Sequence, residues 1–335
     1  MTKQHLRIGF IGAGSIGSLF GGYLANVQSD IYSIEVIFFN IDPYIDIINR
    51  KGLKIYKDQD TILVKNIVAY ENEKFLKDKI KNNPSFKFDY MFLTTKTYDN
   101  EKALIQYKDL INVSNYLVIL QNGIGNEDLA IKYYDRTKII RAVTSNGALL
   151  SKPGHLYHTG KGITKIGFPY HIDTNSSSEE YIKSESNLKL LKDILNLAGF
   201  QTIIVHDIIM ESWEKVFVNI GINALGALTR LPNGALLKND KLKYLLEQAI
   251  REAIEVAKEK GIKLPEKDYF SIAYNVAENT ADNKNSMLQD ILNKKTTEID
   301  FINGRILKYA LKLGMKVPVN EMLTYLIKGL ENSQI

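Results

Sequence analysis

Three polar residues recur at a helical spacing inside an otherwise apolar stretch of the chain. Lys215, Asn219 and Asn223 lie within residues 213–223, which read WEKVFVNIGIN. An α-helix turns by about 100° per residue, so side chains four positions apart share one face. The apolar neighbours predict that this helix is buried, where an ammonium and two amides cost several kcal/mol unless polar groups meet them. The pattern indicates either a binding site for a polar substrate or side chains satisfied by neighbouring helices.

A glycine-rich turn near the N-terminus is a second candidate for chemistry. The apolar residues 8–11 predict a strand, and residues 18–27 predict a helix. Between them lies G-x-G-x-x-G, whose glycines allow a tight turn, the approach of a pyrophosphate, and close packing of helix on strand. The pyrophosphate would lie at the helix N-terminus, where free amides favour negative charge. The predicted cofactor-binding residues of this turn are Gly12, Ala13, Gly14, Ser15, Ile16 and Gly17.

Length and composition exclude several classes of protein. A chain of 335 residues is long for one core and indicates two domains. It has no cysteine, which excludes disulfides, thiolate metal sites and a cysteine nucleophile. The net charge of +5 is spread along the chain without an arginine cluster, so we expect no nucleic-acid partner. The histidines show no ligand spacing, so no metal is expected. The glycine-rich run 8–27 is a poor membrane span or signal peptide, which favours a cytoplasmic protein.

The order of predicted elements indicates an α/β Rossmann-type dinucleotide-binding domain followed by an all-α helical domain. Apolar runs alternate with short helices in the first half, which predicts a mostly parallel sheet covered on both faces. Residues 139–170 are predicted to be rich in strands, and long helical periodicity begins at Asp207. We therefore place the domains at residues 1–206 and 207–335, and interpret the polar residues 173–180 as a surface loop. The other predicted strands cover residues 34–39, 53–56, 62–68, 90–94 and 116–120.

Polar residues follow two of the predicted strands. Lys96 comes just after the strand at 90–94, and Asn122 just after the strand at 116–120. Ligands of doubly wound sheets bind at the carboxyl ends of the strands. Lys96 could contact a cofactor phosphate or ribose, and Asn122 could face the nicotinamide and the substrate. The alternative is an ordinary loop lysine and an Asn-Gly turn.

A further pair of candidates lies in the helical half. Ser286 lies in a segment, residues 286–290, that is predicted to end a helix, and the polar residues 293–296 are predicted to interrupt it. Thr296 or Thr297 would then cap a new helix with Glu298 in its first turn. On one continuous helix Ser286 and Glu298 would lie about 120° apart, whereas an interruption lets them converge. The alternative is that Glu298 is only a favourable first-turn acid.

Taken in order along nearly the whole chain, these segments resemble the ketopantoate reductase family, also called 2-dehydropantoate 2-reductases. The resemblance rests on the glycine turn, on NGIG at 122–125, GITKIG at 162–167, WEK at 213–215 with Asn219 and Asn223, SMLQD at 286–290, and TEIDFING at 297–304. It implies a Rossmann domain, a helical domain and an active site in the cleft between them. It also implies the reduction of ketopantoate to pantoate in pantothenate synthesis.

The resemblance also implies roles for individual residues. Lys215 matches the family's lysine, which stabilises charge on the ketone oxygen and donates a proton, as reduction of a ketone requires. Glu298 matches the carboxylate that pairs with the lysine and a substrate hydroxyl. Asn219, Asn223 and Ser286 match hydrogen-bonding partners of the substrate, with Asn122 contributing from the cofactor side.

One position departs from the family pattern and bears on the cofactor. Members that use NADPH usually carry an arginine just past the second strand, where this chain has Ile41 between Asn40 and Asp42. Asn40 or Asp42 could instead accept a hydrogen bond from a free ribose. Lys96 matches another basic position of the family and could compensate for the arginine. We expect NADPH, with NADH possible.

Two other functions are compatible with the same residues. One is a different NAD(P)-dependent 2-oxo acid or 3-hydroxy acid dehydrogenase with the same two-domain plan. The other is a non-catalytic dinucleotide sensor, which is disfavoured because every polar catalytic position is filled. By analogy with the family, the helical domain could form a homodimer.

Overall fold

The computed structural model describes residues 2–83, 85–170 and 179–333. The predicted loop at 173–180 therefore lies largely outside the described residues.

The strands are β1 (Gln4–Ile11), β2 (Tyr32–Phe39), β3 (Leu53–Lys57), β4 (Asp60–Val64), β5 (Ile67–Tyr70), β6 (Phe88–Leu93), β7 (Ser114–Ile119), β8 (Ile139–Thr144), β9 (Gly147–Lys152), β10 (His155–Gly160), β11 (Thr164–Gly167) and β12 (Thr202–Ile204). The helices are α1 (Ser15–Ala25), α2 (Tyr44–Lys51), α3 (Asn72–Phe75), α4 (Asn100–Gln106), α5 (Lys108–Asn112), α6 (Asn126–Ala130), α7 (Glu179–Leu197), α8 (Ile208–Thr229), α9 (Asn233–Leu237), α10 (Asp240–Glu259), α11 (Tyr269–Asn279), α12 (Ser286–Leu292), α13 (Asn303–Leu313) and α14 (Pro318–Asn332).

The chain divides into two units. The first comprises Met1–Gln121 and Asn126–Ile208, and the second comprises Asn122–Gly125 and Ile209–Ile335. The predicted α/β fold followed by a helical fold is confirmed. The short segment Asn122–Gly125 belongs with the helical unit, although the residues on either side of it belong to the first unit.

An eight-stranded sheet forms the centre of the first unit. Its strand order is β12-β11-β8-β7-β6-β1-β2-β5, and every neighbouring pair is parallel except β8 with β11. Because β1, β6 and β7 are adjacent and parallel, their carboxyl ends meet at one edge of the sheet. The glycine turn and Lys96 follow two of these ends, where ligands of such sheets bind.

Both faces of this sheet are covered, as the apolar strands predict. Successive side chains point to opposite faces, so Phe38 packs in one core and Phe39 in the other. Helices α1 and α7 contribute to the first core, which contains Leu19 and Leu191. Helices α4 and α5 contribute to the second, which contains Leu104.

The single strand predicted at residues 62–68 is wrong, because the structure has two strands there. Strand β4 pairs with β3 in a separate four-stranded sheet of order β4-β3-β10-β9, whereas β5 pairs with β2 at the edge of the large sheet. The polar residues Lys65 and Asn66 separate the two strands, and the Asn66 side chain donates a hydrogen bond to the Ala25 carbonyl. The small sheet packs on α1 and contributes Ile55 and Leu156 to the first core.

The helical unit is built around α8. Its core contains Phe217 and Ile220 of α8, Ile250 of α10 and Ile306 of α13, all fully buried. Ile124 of the segment Asn122–Gly125 is buried in the same core. Within the described residues, no helix is long and apolar enough to cross a membrane.

Candidate active site

The glycine turn has the geometry that a dinucleotide pyrophosphate needs. Gly12 has φ +85°, and a Cβ atom added there would lie 2.8 Å from the Thr95 backbone nitrogen. A Cβ at Gly17 would lie 2.5 Å from Thr94 Oγ1, so both positions exclude a side chain. A Cβ at Gly14 would meet nothing within 4 Å, so this glycine faces open space. Two glycines therefore serve packing, and Gly14 leaves room for a ligand.

Hydrogen bonds hold this turn in place. Thr94 Oγ1 donates to the Gly12 carbonyl at 2.7 Å, and Ser18 Oγ donates to the Ala13 carbonyl at 2.9 Å. Ser15 Oγ accepts a hydrogen bond from the Leu150 backbone nitrogen at 3.0 Å. Helix α1 begins after Gly14 without a side-chain cap. Its N-terminal end therefore offers backbone amides to an anion.

Apolar side chains within the turn face the protein. Ala13 is fully buried, and Ile16 packs against the core while half-buried. Tyr44 of α2 is buried beside Ser18, with 2.6 Å between the two hydroxyl oxygens, and burial raises the pKa of this tyrosine. Ala13 and Ile16 therefore offer a ligand their backbone rather than their side chains.

The predicted ribose and phosphate contacts lie after β2 and β6. The Asn40 backbone nitrogen donates to the Tyr70 carbonyl at 3.3 Å, and Ile41 beyond it is 71% exposed. Lys96 is half-buried and precedes a 3-10 turn at Thr97–Asp99. The apolar side chain that replaces the expected arginine is therefore directed to solvent and offers no hydrogen bond.

Three of the predicted site residues contact one another in the helical unit. Lys215 Nζ donates to Asn122 Oδ1 at 2.7 Å, and Asn122 Nδ2 donates to Glu298 Oε2 at a longer 3.4 Å. Glu298 is 7% exposed and Lys215 is half-buried. Because the amide oxygen faces an ammonium and the amide nitrogen faces a carboxylate, both charges favour the same orientation of Asn122. The cluster combines a proton donor, a polar amide and a carboxylate.

Glycines bring Asn122 next to the chain that carries Glu298. Gly123 has φ +81°, and an added Cβ would lie 2.5 Å from the Phe301 carbonyl oxygen. Gly125 has φ +78°, and an added Cβ would lie 2.6 Å from the Tyr309 hydroxyl. Only glycine tolerates both the backbone conformation and the close approach. The sequence NGIG therefore allows Asn122 to lie beside residues 298–301.

Helix α8 carries two further predicted site residues, Asn219 and Asn223. Asn219 follows Lys215 by one helical turn and is half-buried, and Asn223 follows by a second turn and is 5% exposed. The three residues share a face because α8 runs without interruption from Ile208–Thr229. Trp213 stacks on Tyr309 with ring centroids 5.9 Å apart, which orients this part of α8 against α13.

The helix predicted to end before residues 293–296 does end there, at Leu292, and one other local prediction is wrong. Helix α12 begins only at Ser286, because the Asn285 side chain caps it by accepting from the Leu288 backbone nitrogen at 2.9 Å. Ser286 is exposed at this helix start. Glu298 directly precedes a short 3-10 turn at Ile299–Phe301 rather than lying in the first turn of a helix. The interruption between α12 and this turn is present as predicted.

Two residues that support the site were not identified from the sequence, namely Asn285 and Asn320. Asn285 Nδ2 donates to the Ile222 carbonyl of α8 at 3.3 Å, which ties the start of α12 to the helix that carries Asn223. Asn320 Oδ1 accepts a hydrogen bond at 3.0 Å from Asn303 Nδ2, which lies in the motif TEIDFING and also donates to the Ile220 carbonyl at 3.4 Å. Asn285 directly precedes SMLQD, and a polar residue before a helix start was the available signal for it.

Among the described residues, no group of three or more histidine, aspartate or glutamate side chains could hold a metal ion.

Family models match both parts of the chain. Residues 8–169 match the model described as ketopantoate reductase PanE/ApbA, and residues 207–331 match its C-terminal counterpart. The chain belongs to the ketopantoate reductase family. A 2-dehydropantoate 2-reductase of Pyrococcus abyssi is 36% identical over 329 residues, which cover 97% of this chain and 98% of the relative. One from Archaeoglobus fulgidus is 32% identical, with 97% and 98% covered.

Solved structures share the fold of this ketopantoate reductase family member. A PanE/ApbA family ketopantoate reductase from Ralstonia eutropha JMP134 has a TM-score of 0.82 and 25% identity, covering 98% of this chain and 99% of that one. D-mandelate dehydrogenase with NADH and anilino(oxo)acetate has a TM-score of 0.86 and 25% identity, with the same coverage. This fold is thus shared with an enzyme whose structure contains NADH and anilino(oxo)acetate.

Proposed function

We propose that this chain reduces 2-dehydropantoate to pantoate with a reduced nicotinamide cofactor. The observation that carries the proposal is the contact of Lys215 and Glu298 with the two ends of one amide, that of Asn122. Membership of the family indicates the type of reaction. The glycine turn is the candidate binding site for the cofactor pyrophosphate.

The residues of the cluster suit ketone reduction. The cofactor supplies the hydride when bound. The Lys215 ammonium stabilises the negative charge that develops on the ketone oxygen and donates a proton to it. Asn122 holds Lys215 by accepting a hydrogen bond from one of the three N–H groups of the ammonium, so the lysine has a fixed direction before the substrate binds. Glu298 accepts a hydrogen bond from the substrate hydroxyl.

Amides and a hydroxyl suit the remaining groups of a 2-oxo acid. Asn219 and Asn223 continue the face of Lys215 and would donate hydrogen bonds to the substrate. Ser286 would bind the substrate carboxylate from the start of α12. These roles of Asn219, Asn223 and Ser286 follow from the resemblance to the family. Each can be tested by substitution with alanine.

We propose NADPH as the preferred cofactor, with weak discrimination against NADH. Gly12, Ala13, Gly14, Ser15, Ile16 and Gly17 would hold the pyrophosphate, because the turn is open at Gly14. Asn40 would contact the adenosine ribose, and Lys96 would supply the positive charge for a 2′-phosphate. Ile41 offers no such charge, which is why the discrimination should be weak.

The decisive experiment is an assay of cofactor oxidation. Purified protein is mixed with 2-dehydropantoate and NADPH or NADH, and absorbance of the reduced cofactor is followed. We expect consumption with 2-dehydropantoate as the best substrate of a panel of branched 2-oxo acids. The absence of oxidation above background with every member of the panel would contradict an enzymatic function.

A second candidate is the reduction of another 2-oxo acid to a D-2-hydroxy acid. The structural similarity to D-mandelate dehydrogenase favours this alternative. The same panel distinguishes the two if it includes phenylglyoxylate. A higher kcat/KM for phenylglyoxylate than for 2-dehydropantoate would favour the mandelate-type activity.

We also propose that the helical unit mediates a homodimer. Three large apolar side chains of α14 are exposed at helical spacing, namely Met322 (59%), Tyr325 (60%) and Leu326 (50%). A second copy would bury them, since large apolar patches on a protein surface often mark interaction sites. Light scattering after size-exclusion chromatography should give twice the chain mass of 38.0 kDa. Tyr325→Glu should shift the protein to the monomer.

A further inference from the structure

Buried amides link two loops of the first unit that follow neighbouring strands. Asn100, at the start of α4, accepts hydrogen bonds at Oδ1 from Thr95 Oγ1 at 3.1 Å and from Gln121 Nε2. Gln121 Nε2 also donates to Thr95 Oγ1 at 3.1 Å. Asn100 Nδ2 donates to Asn126 Oδ1 at 3.1 Å. One side chain thus joins the loop after β6, the loop after β7 and the start of α6.

The network is enclosed by protein. Asn100 and Asn126 are each 1% exposed, and Gln121 is 6% exposed. Hydrogen bonds between buried amides are costly to break, because water cannot replace the lost partner. The three side chains therefore hold their loops more firmly than exposed amides would.

Two of the three residues that Asn100 bonds to flank the segment Asn122–Gly125. Gln121 immediately precedes this segment and Asn126 immediately follows it. Gln121 and Asn126 belong to the first unit, whereas Asn122–Gly125 belongs to the helical unit. Asn100 thus bonds to the residues at both ends of the four-residue segment that carries Asn122.

Only the nitrogen end of the Gln121 side-chain amide has hydrogen-bond partners among the described residues. Its Oε1 is buried without a hydrogen-bond partner among the described residues, while its Nε2 makes two hydrogen bonds. A buried acceptor without a partner is unfavourable, so the position of Gln121 is set by the bonds of its Nε2 rather than by its own carbonyl oxygen.

We propose that Asn100 is a positioning residue that sets the place of Asn122 by holding Gln121 and Asn126. This role rests on the proposed function, because Asn122 matters only if Lys215 is the proton donor that it orients. Asn100 does not need to contact substrate. A displacement of about 1 Å at a reacting group can lower a rate by about a hundredfold, so a loosened segment should reduce kcat.

The first test measures the segment without any ligand. Hydrogen–deuterium exchange of a peptide covering residues 121–126 should become about tenfold faster in Asn100→Ala than in the wild type. Asn49→Ala is the control, at an exposed amide of the same unit. Asn49 also makes two amide hydrogen bonds in the first unit, both of 2.8 Å and both to the Ala69 backbone. It should leave exchange at 121–126 unchanged. Equal exchange in Asn100→Ala and wild type would overturn the proposal.

The second test separates positioning from general stability with a double-substitution cycle. Asn100→Ala should lower kcat by about 10–100-fold in the wild type. It should lower kcat by less than about twofold in Asn122→Ala, because the residue through which it acts is already absent. Asn49→Ala should have the same small effect in both backgrounds. Equal losses from Asn100→Ala in both backgrounds would contradict the proposal.

A conservative variant guards against misfolding. Asn100→Asp keeps the acceptor for Thr95 and Gln121, so it should recover at least about threefold of the kcat lost in Asn100→Ala. No recovery, in a variant with wild-type thermal stability, would count against the network. If the wild type oxidises no cofactor with any 2-oxo acid, the proposed function fails. Hydrogen–deuterium exchange then decides alone whether Asn100 holds the segment.

Discussion

Lys215 Nζ lies 2.7 Å from Asn122 Oδ1, although the two residues are 93 positions apart in the chain. The nitrogen of the same amide donates to Glu298, which is 176 positions from Asn122. A single neutral amide therefore lies between the cation and the carboxylate that the proposed reaction needs. Its orientation follows from the charges on either side, which prepares the lysine before a substrate arrives.

Removal of the lysine should separate catalysis from binding. Lys215→Ala should lower kcat by roughly 10²–10⁴-fold, because both a proton donor and a stabilising charge are lost. The dissociation constant of NADPH, measured by its fluorescence, should change by less than about threefold. Lys258→Ala is a suitable control, since this exposed lysine of α10 pairs with Glu255 at the helix surface. A variant that keeps its kcat while its melting temperature falls would show that Lys215 is structural.

The helical periodicity around Lys215 and the glycine turn could both be predicted because their signals are local. The face shared by Lys215, Asn219 and Asn223 depends only on a spacing of four within one helix. The contact with Asn122 has no such signal, since it depends on how Gly123 and Gly125 pack against Phe301 and Tyr309. Long-range packing of this kind leaves no regular spacing in the sequence.

The errors of prediction have local causes of their own. The strand predicted at 62–68 contains the polar pair Lys65 and Asn66, which lies between the end of β4 at Val64 and the start of β5 at Ile67. The start of α12 at Ser286 depends on the Asn285 side chain, which accepts from the Leu288 backbone nitrogen. The amide network of Asn100 could not be predicted, because it joins residues from loops that follow different strands.

A charge introduced at the central amide should lower the activity. Asn122→Asp keeps an acceptor for Lys215 but places a carboxylate oxygen where an N–H now faces Glu298. The added negative charge repels the Glu298 carboxylate and binds the Lys215 ammonium more tightly, so proton donation becomes harder and kcat should fall by about 10–100-fold. Steady-state kinetics measure kcat, with Asn122→Ala, which adds no charge, as the matched control. An Asn122→Asp protein no slower than Asn122→Ala would show that the added charge does not affect the two groups.

Two glycines of the same turn should respond in opposite ways to alanine. A Cβ at Gly14 meets nothing within 4 Å, and the backbone there has φ −73°, which alanine adopts readily. Gly14→Ala should keep the melting temperature within about 2 °C and weaken NADPH binding at least about tenfold, because the methyl group occupies the space of the pyrophosphate. Calorimetry and fluorescence titration measure the two effects. Undiminished NADPH binding would show that the pyrophosphate lies elsewhere.

Gly12→Ala should instead destabilise the protein. Its φ of +85° and the approach of the Thr95 backbone nitrogen to 2.8 Å leave no space for a methyl group. We expect a loss of roughly 1–3 kcal/mol in the free energy of unfolding. Urea titration measures it, with Gly14→Ala as the matched control in the same turn. A Gly12→Ala protein as stable as Gly14→Ala would mean that the turn relaxes easily.

The cofactor preference should change with one substitution at the end of β2. A 2′-phosphate carries close to two negative charges and binds best to a planar bidentate donor, which Ile41 cannot supply. Since Ile41 is 71% exposed, an arginine there has room to reach a ligand. Ile41→Arg should lower KM for NADPH about tenfold with little effect on NADH, and Ile41→Met should change neither.

Lys96→Ala should raise KM for NADPH more than for NADH. A wild-type preference for NADPH beyond about a thousandfold, or about 4 kcal/mol, exceeds what one lysine contact should provide and would show that the phosphate binds elsewhere.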